Sequence, residues 1–511
     1  MLVFVAMTAP LTAQTSNRCE VNAAFADAAA GPAWNGWGAN ISNSRFQPSE
    51  AAQMTAAQVP HLKLKWAFGL SGAKEVFGEP VVLAGRVFFS ANTGLVYSLD
   101  AATGCLYWTF QADAGVRTAL FIKRTQLSST AYFGDLKANV YALNAANGTL
   151  IWKVRVDEHP TARITGAPQV FEDRVYVPVA SSEEGASSNP QYPCCSFRGS
   201  VVALDAATGK QIWKTWTIAD VPKIVSKNLN GISRWAPAGG GVWNSPTVDP
   251  KRHALYFGTG DAYTTPAPKN TDAIMALDLD SGKIRWSVQG TENDAWVVGC
   301  MSPKPLENCP KDFGPDQDFG SPPILRDMPD GRTLLIAGQK SGNVWAYDPD
   351  HQGAVVWRTA LVNNTKNFGG KIVWGGAADD QTAYFGLGTG GIAALDIRNG
   401  ERKWFTPLAP TEERSKHLGQ EGPLTAIPGI IFSGGFDGVL RALSAATGEV
   451  VWQFDTLREF PTVNGVAAKG GSMGSAGSVV AGGMLFVPSG YVGVRNGMPG
   501  NVLLAFAPQP E

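Results

Sequence analysis

The chain repeats one pattern of apolar and polar residues seven times. A short apolar segment runs into a polar turn, Asp-x-x-Thr-Gly or a close variant, and a second apolar segment then ends in tryptophan. In such a turn the aspartate accepts hydrogen bonds from backbone amides, and the glycine tolerates a positive φ. The pattern predicts a β-hairpin that places a large indole group at the same point in every repeat. The repeats end at Trp108, Trp152, Trp213, Trp286, Trp357, Trp404 and Trp452, and an eighth tryptophan, Trp66, follows an apolar segment without the turn.

The spacing of these tryptophans indicates the size of the repeated unit. Successive intervals are 42, 44, 61, 73, 71, 47 and 48 residues, and about 40–50 residues form one four-stranded blade of a β-propeller. We therefore predict an all-β fold, an eight-bladed propeller with four antiparallel strands per blade and little helix. The long intervals predict insertions, which such folds tend to place on a functional face. Inserted loops are expected at 181–198, 216–243, 261–272, 289–322 and 361–374.

The two ends of the chain are expected to close the ring. Apolar segments at 479–490 and 501–506 have no tryptophan hairpin after them. Leu62–Phe68 is therefore expected to supply the missing strand of the last blade, which protects the sheet edges. On this basis residues 14–60 form an irregular amino-terminal segment, and residues 61–511 form the propeller.

The first residues and the cysteines indicate an exported protein. Residues 1–13 are apolar and end in small residues, as in a secretory signal peptide, although a basic amino-terminal region is lacking. A truncated start or a disordered apolar tail are the alternatives. Six cysteines agree with an oxidising compartment, so we expect a periplasmic or secreted location. The candidate disulfide pairs are Cys19 with Cys105, Cys300 with Cys309, and the adjacent Cys194 and Cys195, for which free thiols or other partners are the alternatives.

Charge and motifs exclude several classes of function. The formal net charge is −1 and there is no basic stripe, which argues against a nucleic-acid partner. No apolar run reaches the roughly 18 residues that a membrane span needs. The sequence lacks a Cys-x-x-Cys-His haem motif, metal-ligand spacing among its histidines and a glycine-rich phosphate loop. A propeller by itself fixes no function.

The repeat resembles the tryptophan-docking motif of the pyrroloquinoline quinone (PQQ) alcohol dehydrogenases, which are eight-bladed. The resemblance covers about residues 20–511, and it is closest to the polyvinyl alcohol dehydrogenase branch. It implies oxidation of secondary hydroxyl groups, in a polymer such as polyvinyl alcohol or a related alcohol, with PQQ and Ca²⁺ as cofactors. It also implies transfer of electrons to a cytochrome c, a separate protein because no haem motif occurs here. Four strings carry the branch resemblance: Gly31-Pro-Ala-Trp-Asn-Gly-Trp-Gly38, Gly115-Val-Arg-Thr118, Tyr192-Pro-Cys-Cys-Ser-Phe-Arg-Gly199 and Gly500-Asn-Val-Leu-Leu-Ala-Phe506.

The resemblance also assigns residues to the cofactor, which is planar and carries three carboxylates and an ortho-quinone. Trp243 is the expected aromatic floor, with an ordinary core tryptophan as the alternative. Arg117 is expected to pair with a carboxylate, and Lys340 to touch the quinone oxygens and polarise the carbonyl. The remaining predicted cofactor contacts are Thr165, Ser181, Trp374 and the pair Cys194 and Cys195, which would cover one face of PQQ.

The metal ligands and the catalytic base follow from the same resemblance. Ca²⁺ takes oxygen ligands, and Glu184, with Glu183 one step away, and Asp261 match the family's ligand positions. Relatives carry an aspartate directly after the tryptophan of a Thr-Pro-x-Asp-x-Trp-Asp string, but Val297 stands there in this chain. Valine cannot accept a proton. We predict that Asp294 takes that role, and a structural turn cap is its alternative; other candidates for the base are Asp316 and Asp318.

Two other functions remain open from the sequence. A propeller with the same kind of repeat and no cofactor serves as a scaffold in the outer-membrane assembly lipoprotein. A PQQ-binding protein that has lost turnover is the second alternative, for which Val297 is the indication.

Overall fold

Eight antiparallel sheets form the propeller that the repeat predicts. The structure is a computed structural model, and it describes residues 17–19, 31–125, 128–362, 371–493 and 497–509. The predicted signal peptide 1–13 lies outside the described residues. Seven sheets consist of four strands each, and the sheet of the third blade carries a fifth.

The strands of the first four blades follow one another along the chain. After β1 (Leu62–Gly69), the first two blades comprise β2 (Val81–Leu83), β3 (Arg86–Ser90), β4 (Leu95–Asp100), β5 (Leu106–Gln111), β6 (Phe121–Arg124), β7 (Ser129–Gly134), β8 (Asn139–Asn144) and β9 (Leu150–Arg155). The third blade comprises β10 (Ala162–Arg163), β11 (Gln169–Phe171), β12 (Arg174–Ser181), β13 (Ser200–Asp205) and β14 (Gln211–Trp216). A separate hairpin, β15 (Lys223–Lys227) and β16 (Ser233–Ala236), precedes the fourth blade, which comprises β17 (Thr247–Asp249), β18 (Ala254–Gly258), β19 (Ala273–Asp278) and β20 (Ile284–Gln289).

The second half of the ring continues the order. Blades five to seven comprise β21 (Ile324–Asp327), β22 (Thr333–Gly338), β23 (Asn343–Asp348), β24 (Ala354–Ala360), β25 (Ala377–Ala378), β26 (Thr382–Gly386), β27 (Ile392–Asp396), β28 (Arg402–Thr406), β29 (Thr425–Ile427), β30 (Ile430–Gly434), β31 (Val439–Ser444) and β32 (Val450–Asp455). A short pair, β33 (Glu459–Phe460) and β34 (Ala468–Lys469), precedes β35 (Val479–Ala481), β36 (Met484–Ser489) and β37 (Val502–Pro508). The described helices are short, as predicted: α1 (Ser49–Ala52), α2 (Glu183–Ala186) and 3₁₀ turns at Ala56–His61, Val298–Met301, Pro349–His351 and Glu412–Arg414.

The eighth blade joins the two ends of the chain. Its strand order is β1, β37, β36, β35, and β1 pairs antiparallel with β37 from Leu62 opposite Pro508 to Gly69 opposite Val502. The first strand therefore lies at the outer edge of a sheet made of the last three.

Apolar side chains fill the space between neighbouring sheets. Residues of a strand alternate between its two faces, so each sheet offers an apolar face to both neighbours. One cluster combines Phe88 and Val96 of the first blade with Phe133 and Tyr141 of the second. Burying one such side chain contributes about 1.5–3 kcal/mol, and the ring repeats this contact between successive blades.

The repeat tryptophans connect each blade to the next. Trp66 packs on the turn glycine Gly104, where an added Cβ would lie 2.9 Å from the indole, and its Nε1 donates to the carbonyl of Ala101 at 3.1 Å. Gly104 also has a φ of +73°, so a larger residue would strain the turn and displace the indole. The same packing recurs in the pairs Trp108–Gly148, Trp152–Gly209, Trp213–Gly282, Trp286–Gly353, Trp357–Gly400 and Trp404–Gly448.

Residues 34–47, which we call the axial segment, close one end of the central channel. The sequence suggested only an irregular chain here, yet this segment forms hydrogen bonds with the innermost strand of every blade. In blade order the bonded pairs are Trp34–Val82, Asn35–Ile122, Asn43–Gln169, Ile41–Val248, Ser42–Leu325, Ser44–Ala378, Arg45–Ala426 and Gln47–Val480.

Candidate active site

The blades contribute side chains to the channel just before their innermost strands. Arg117, Thr165 and Trp243 each stand four residues before the innermost strand of their blade, and Trp374 stands three before its own. These four predicted residues line one cavity of about 30 Å³. The sequence places them up to 257 residues apart, and the ring symmetry brings them together.

Trp243 lies across the channel because a glycine on the next blade makes room for it. A Cβ added to Gly320 would lie 1.9 Å from the indole ring. The indole Nε1 donates to Asp318 Oδ2 at 3.0 Å, and the ring meets Trp374 edge-on with centroids 5.4 Å apart. Trp243 is partly exposed and lines the cavity. It is therefore not the ordinary core tryptophan that was the alternative to a cofactor contact.

A cationic region lies on one side of Trp243. The guanidinium of Arg117 stacks 4.3 Å from the ring centroid of Trp374, and burial lowers the pKa of Arg117. Its Nη2 and the Nε of Arg163 are buried without a hydrogen-bond partner. The carboxylate of Glu75 acts to raise the pKa of Arg117, but it already accepts hydrogen bonds from two backbone amides. Arg163 stands in none of the motifs that predict the site.

An acidic region also contacts Trp243, through Asp318. Carboxylate oxygens of Asp261, Asp316 and Asp318 lie within 4.8 Å of one another, all three buried. Lys340 Nζ donates to Asp316 at 2.5 Å and to Asp318 at 2.9 Å, and it stands 5.3 Å from the Trp243 ring centroid. Lys371 also forms an ion pair with Asp316.

The pKa values of this region reflect the crowding of charge. Burial and the carboxylates of Asp318 and Glu184 raise the pKa of Asp261 well above its usual range. Burial acts to raise the pKa of Asp318 too, but the ammonium groups of Lys340 and Lys371 and the amide of Asp261 together outweigh it, and the net shift is downward. The pKa of Lys340 rises well above its ordinary value because the attraction of Asp316 and Asp318 exceeds the cost of burial.

The structure distinguishes Glu184 from its neighbour Glu183. The carboxylate of Glu183 accepts hydrogen bonds from the amides of Ser196 and Phe197 and from the Tyr192 hydroxyl, so it holds the loop that follows α2. Glu184 faces the acidic region. Burial raises its pKa to about 7, the charge of Lys340 opposes this shift, and Asp316 and Asp318 add to it.

Asp294 caps a turn, which is the alternative to its predicted role as the catalytic base. Its Oδ1 accepts from the amide of Asp316 at 3.1 Å and its Oδ2 from the amide of Gln317 at 2.7 Å. The carboxylate thereby holds the turn that presents Asp316 and Asp318. Burial raises its pKa to about 6. Val297 is fully buried in an apolar cluster with Cys194 and Cys195.

The other predicted cofactor residues lie around these two regions. Thr165 Oγ1 donates to the carbonyl of Trp243 at 3.3 Å, and Ser181 Oγ lies 3.3 Å from the hydroxyl of Tyr263. Tyr263 was not identified from the sequence. Cys194 and Cys195 form a disulfide bond with each other, and the role of this pair as a cover for the cofactor stays a prediction. The pairs Cys19–Cys105 and Cys300–Cys309 are also bonded.

Three of the predicted insertions meet beside the site. Trp235 donates its amide to the carbonyl of Cys194 at 2.9 Å, and Asn308 Nδ2 donates to the carbonyl of Ser187 at 3.0 Å. Arg234 and Glu307 form an ion pair. These loops, at 181–198, 216–243 and 289–322, carry Glu184, Trp243 and Asp318, so their mutual contacts hold the site together.

The residues present fit an anionic planar group next to a cation. Two guanidiniums with unsatisfied donors suit carboxylates. In the acidic region the four carboxylates of Asp261, Asp316, Asp318 and Glu184 face two ammonium groups, and Asp261 Oδ2 is buried without a partner. Such an excess of negative charge, offered through oxygen atoms alone, suits a hard cation such as Ca²⁺.

Comparisons with known proteins identify the family of the chain. Residues 34–312 match the PQQ family described as glucose/ethanol/alcohol dehydrogenase, beta-propeller domain. The chain is 39% identical to the polyvinylalcohol dehydrogenase of a Pseudomonas species, over 93% of this chain and 76% of that protein. It is 38% identical to the polyvinylalcohol dehydrogenase of Sphingopyxis sp. (strain 113P3), over 94% and 77%.

Among solved structures, the fold is similar to that of the quinohemoprotein alcohol dehydrogenase from Comamonas testosteroni. The TM-score is 0.66 at 19% identity, over 97% of this chain and 84% of the other. In the part of the chain described here, no helix is both long and apolar enough to cross a lipid bilayer.

Proposed function

The chain belongs to the family of PQQ-dependent alcohol dehydrogenases, in its polyvinyl alcohol dehydrogenase branch, and we propose that it oxidises secondary hydroxyl groups with the help of Ca²⁺. The substrate class is polyvinyl alcohol, its fragments or a related alcohol. Membership in this enzyme family favours an enzyme over the non-enzymatic scaffold that the sequence left open.

One observation carries this proposal: a guanidinium and a carboxyl group, each buried with an unsatisfied polar atom, lie near the same indole ring, that of Trp243. Arg117 lines the same cavity as Trp243, Asp261 is linked to Trp243 through Asp318, and each has a buried polar atom that lacks a partner. Buried polar groups of folded proteins are nearly always hydrogen-bonded. Unsatisfied groups that converge on a channel therefore favour a ligand with a matching charge distribution.

Each residue has a role in holding the cofactors. Trp243 supports the plane of PQQ, Arg117 binds a carboxylate, and Thr165, Ser181 and Trp374 border the ring system. Glu184 and Asp261 would be ligands of Ca²⁺, and Asp318 would join them. When bound, PQQ supplies the electrophilic carbonyl that accepts the substrate hydride, and Ca²⁺ polarises that carbonyl.

Asp316 is the group that we favour to take the hydroxyl proton. Lys340 and Lys371 hold its carboxylate in place, and it lies within 4.8 Å of Asp261 and Asp318. The two oxygens of Asp294 are already bonded to backbone amides, which supports a positioning role for Asp294. Lys340 places a positive charge beside Trp243, where it would stabilise negative charge on a quinone oxygen.

The electron acceptor and the location are further parts of the proposal. A separate cytochrome c would accept the electrons that substrate oxidation releases. The disulfide bonds of Cys19–Cys105 and Cys300–Cys309 support export to the periplasm or the exterior, since such bonds persist in oxidising compartments.

Reconstitution tests the proposal directly. The purified protein is incubated with PQQ and Ca²⁺, the absorbance of bound quinone is recorded, and reduction of an artificial acceptor is measured with a secondary alcohol and with polyvinyl alcohol. We expect a quinone band and alcohol-dependent reduction of the acceptor. Trp243→Ala should lose the band, whereas Trp216→Ala should keep it, because Trp216 stacks with Arg198 and Lys214 away from the channel.

Each outcome separates the alternatives. Absence of the quinone band in the unmodified protein would contradict the cofactor assignment. A band without reduction of the acceptor would support a PQQ-binding protein that lacks turnover.

A further inference from the structure

Arg163 stands two residues before Thr165, one of the predicted cofactor residues. It ends β10 and lies opposite Ala180 of β12. Along this segment burial alternates: Ala162 and Ile164 are buried, whereas Arg163 and Thr165 are partly exposed. Ile164 lies in the apolar core, and Thr165 lines the cavity. Arg163 therefore shares with Thr165 the side of the segment that is turned away from the core.

The surroundings of Arg163 supply a like charge instead of a counter-ion. After burial, the charge of Arg117 is the strongest influence on it and lowers its pKa, while Tyr263 and Glu184 act in the opposite direction. Its Nε is buried without a partner. Among the described residues, neither Arg163 nor Arg117 forms an ion pair with a carboxylate.

Other arginines of the protein are satisfied by carboxylates. Arg441 binds both carboxylate oxygens of Asp437 at 3.2 and 2.5 Å. Arg252 forms ion pairs with Asp249 and Asp350 at 3.0 and 2.5 Å. In the part of the chain that the structure describes, Arg163 and Arg117 have no such ion pair, and an anion placed between them would offset their repulsion.

We propose that Arg163 is a second carboxylate-binding arginine, which acts together with Arg117 on the same anionic ligand. The inference rests on the proposed function, because PQQ supplies the ligand and carries three carboxylates. A guanidinium presents a planar fork of donors that matches a carboxylate. Two such forks fix both the position and the in-plane rotation of the ring over Trp243, which a single arginine does not.

The test compares PQQ with its trimethyl ester, in which the carboxylates are neutral. Binding of each compound, in the presence of Ca²⁺, is followed by quenching of tryptophan fluorescence. We expect Arg163→Gln to weaken PQQ binding about 10-fold to 100-fold, the size of a lost charge-assisted hydrogen bond, and to leave ester binding unchanged. Arg163→Lys should recover part of the loss. Arg402→Gln is the matched control, since Arg402 is exposed on the outer strand β28.

A purely structural role for Arg163 makes a different prediction. Removing a like charge beside Arg117 should leave the melting temperature of the cofactor-free protein equal or higher in Arg163→Gln. A marked fall in that temperature, or an equal loss of affinity for PQQ and its ester, would overturn the inference. Unchanged PQQ affinity in Arg163→Gln would overturn it too. If the unmodified protein does not bind PQQ at all, the proposed function itself fails.

Discussion

The central channel contains two buried groups of charges, and they differ in how completely the protein satisfies them. At the closed end, the guanidinium of Arg45 donates to Glu79, to the carbonyls of Leu424, Trp37 and Ser478, and to the hydroxyl of Thr425. Around Trp243, atoms of Arg117, Arg163 and Asp261 lack partners. Both groups are buried, so burial alone does not separate them.

The difference indicates which buried charges serve stability and which serve a ligand. An ion pair that the protein fully hydrogen-bonds fixes the fold around it, and removal of one partner is costly. A buried donor or acceptor without a partner costs free energy in the ligand-free protein, and a ligand of opposite charge recovers that cost. The closed end belongs to the first class and the cofactor site to the second.

The largest effect is expected at the acidic region of the cofactor site. Asp316→Asn should lower turnover by about 10²-fold to 10⁴-fold, the usual contribution of a general base, while the absorbance of bound quinone persists. Asp294→Asn should lower turnover less, because this residue acts through the turn that holds Asp316. Steady-state turnover rates with a secondary alcohol measure both effects. A greater loss of turnover in Asp294→Asn than in Asp316→Asn would identify Asp294 as the general base.

Replacement of Arg45 and of Arg117, one from each group of charges, tests whether the first group serves stability and the second serves a ligand. Arg45→Met should lower the free energy of unfolding by about 3–5 kcal/mol because it leaves Glu79 buried and unpaired. Arg117→Met should weaken PQQ binding without destabilising the cofactor-free protein. Denaturant titration of both variants, with and without PQQ, gives the answer. Equal destabilisation by the two substitutions would remove the distinction between the two groups.

Removal of Ca²⁺ should lower the stability of the folded protein, and only because Ca²⁺ is lost from the cofactor site. A ligand present at 100 times its dissociation constant stabilises the native state by about 2.7 kcal/mol. Calorimetry should therefore show a lower melting temperature after chelation and recovery with Ca²⁺. In Asp261→Ala the response to Ca²⁺ should disappear. A response of unchanged size in that variant would show that Ca²⁺ acts elsewhere.

The smallest expected effect is a pH dependence at the closed end. Burial raises the pKa of Glu79 to about 7, against the opposing charge of Arg45. The native state then holds a proton that the unfolded chain has released, so this contribution is complete below pH 4.5 and is lost as the pH rises through about 7. Between pH 6 and 8 the loss is about 1 kcal/mol. Unfolding curves of Glu79→Gln should show a shallower slope with pH over this range, and an unchanged slope would contradict the assignment.

The fold was predictable because its signal is local and repeated. Each turn needs its own glycine and each tryptophan its own position, so the hairpins, the blade count and the pairing of β1 with the last strands follow from short strings. Arg117, Trp243 and Lys340 were also within reach of sequence reasoning, since each stands in a string that resembles a known family.

Other parts of the site carry no local signal. Gly320 matters only because Trp243, 77 residues earlier, needs the space above it. Arg163 stands in an ordinary strand, and its lack of a partner is a property of the assembled ring. Asp294 was chosen for its place in a string, whereas the insertion at 289–322 folds back so that Asp316 reaches Lys340. The axial segment has no periodicity, because its partners alternate among eight different sheets.

That segment has a consequence for how the molecule comes apart. Units that touch only their two neighbours unfold as a one-dimensional series, in which a terminal unit can detach by itself. Here a single stretch of fourteen residues, 34–47, is tied to every unit at once, although the ribosome makes it before any of them. The hydrogen bonds of this segment can therefore be complete only once the last blade has formed. After that, no blade can detach without breaking its hydrogen bonds to the segment that all eight blades share.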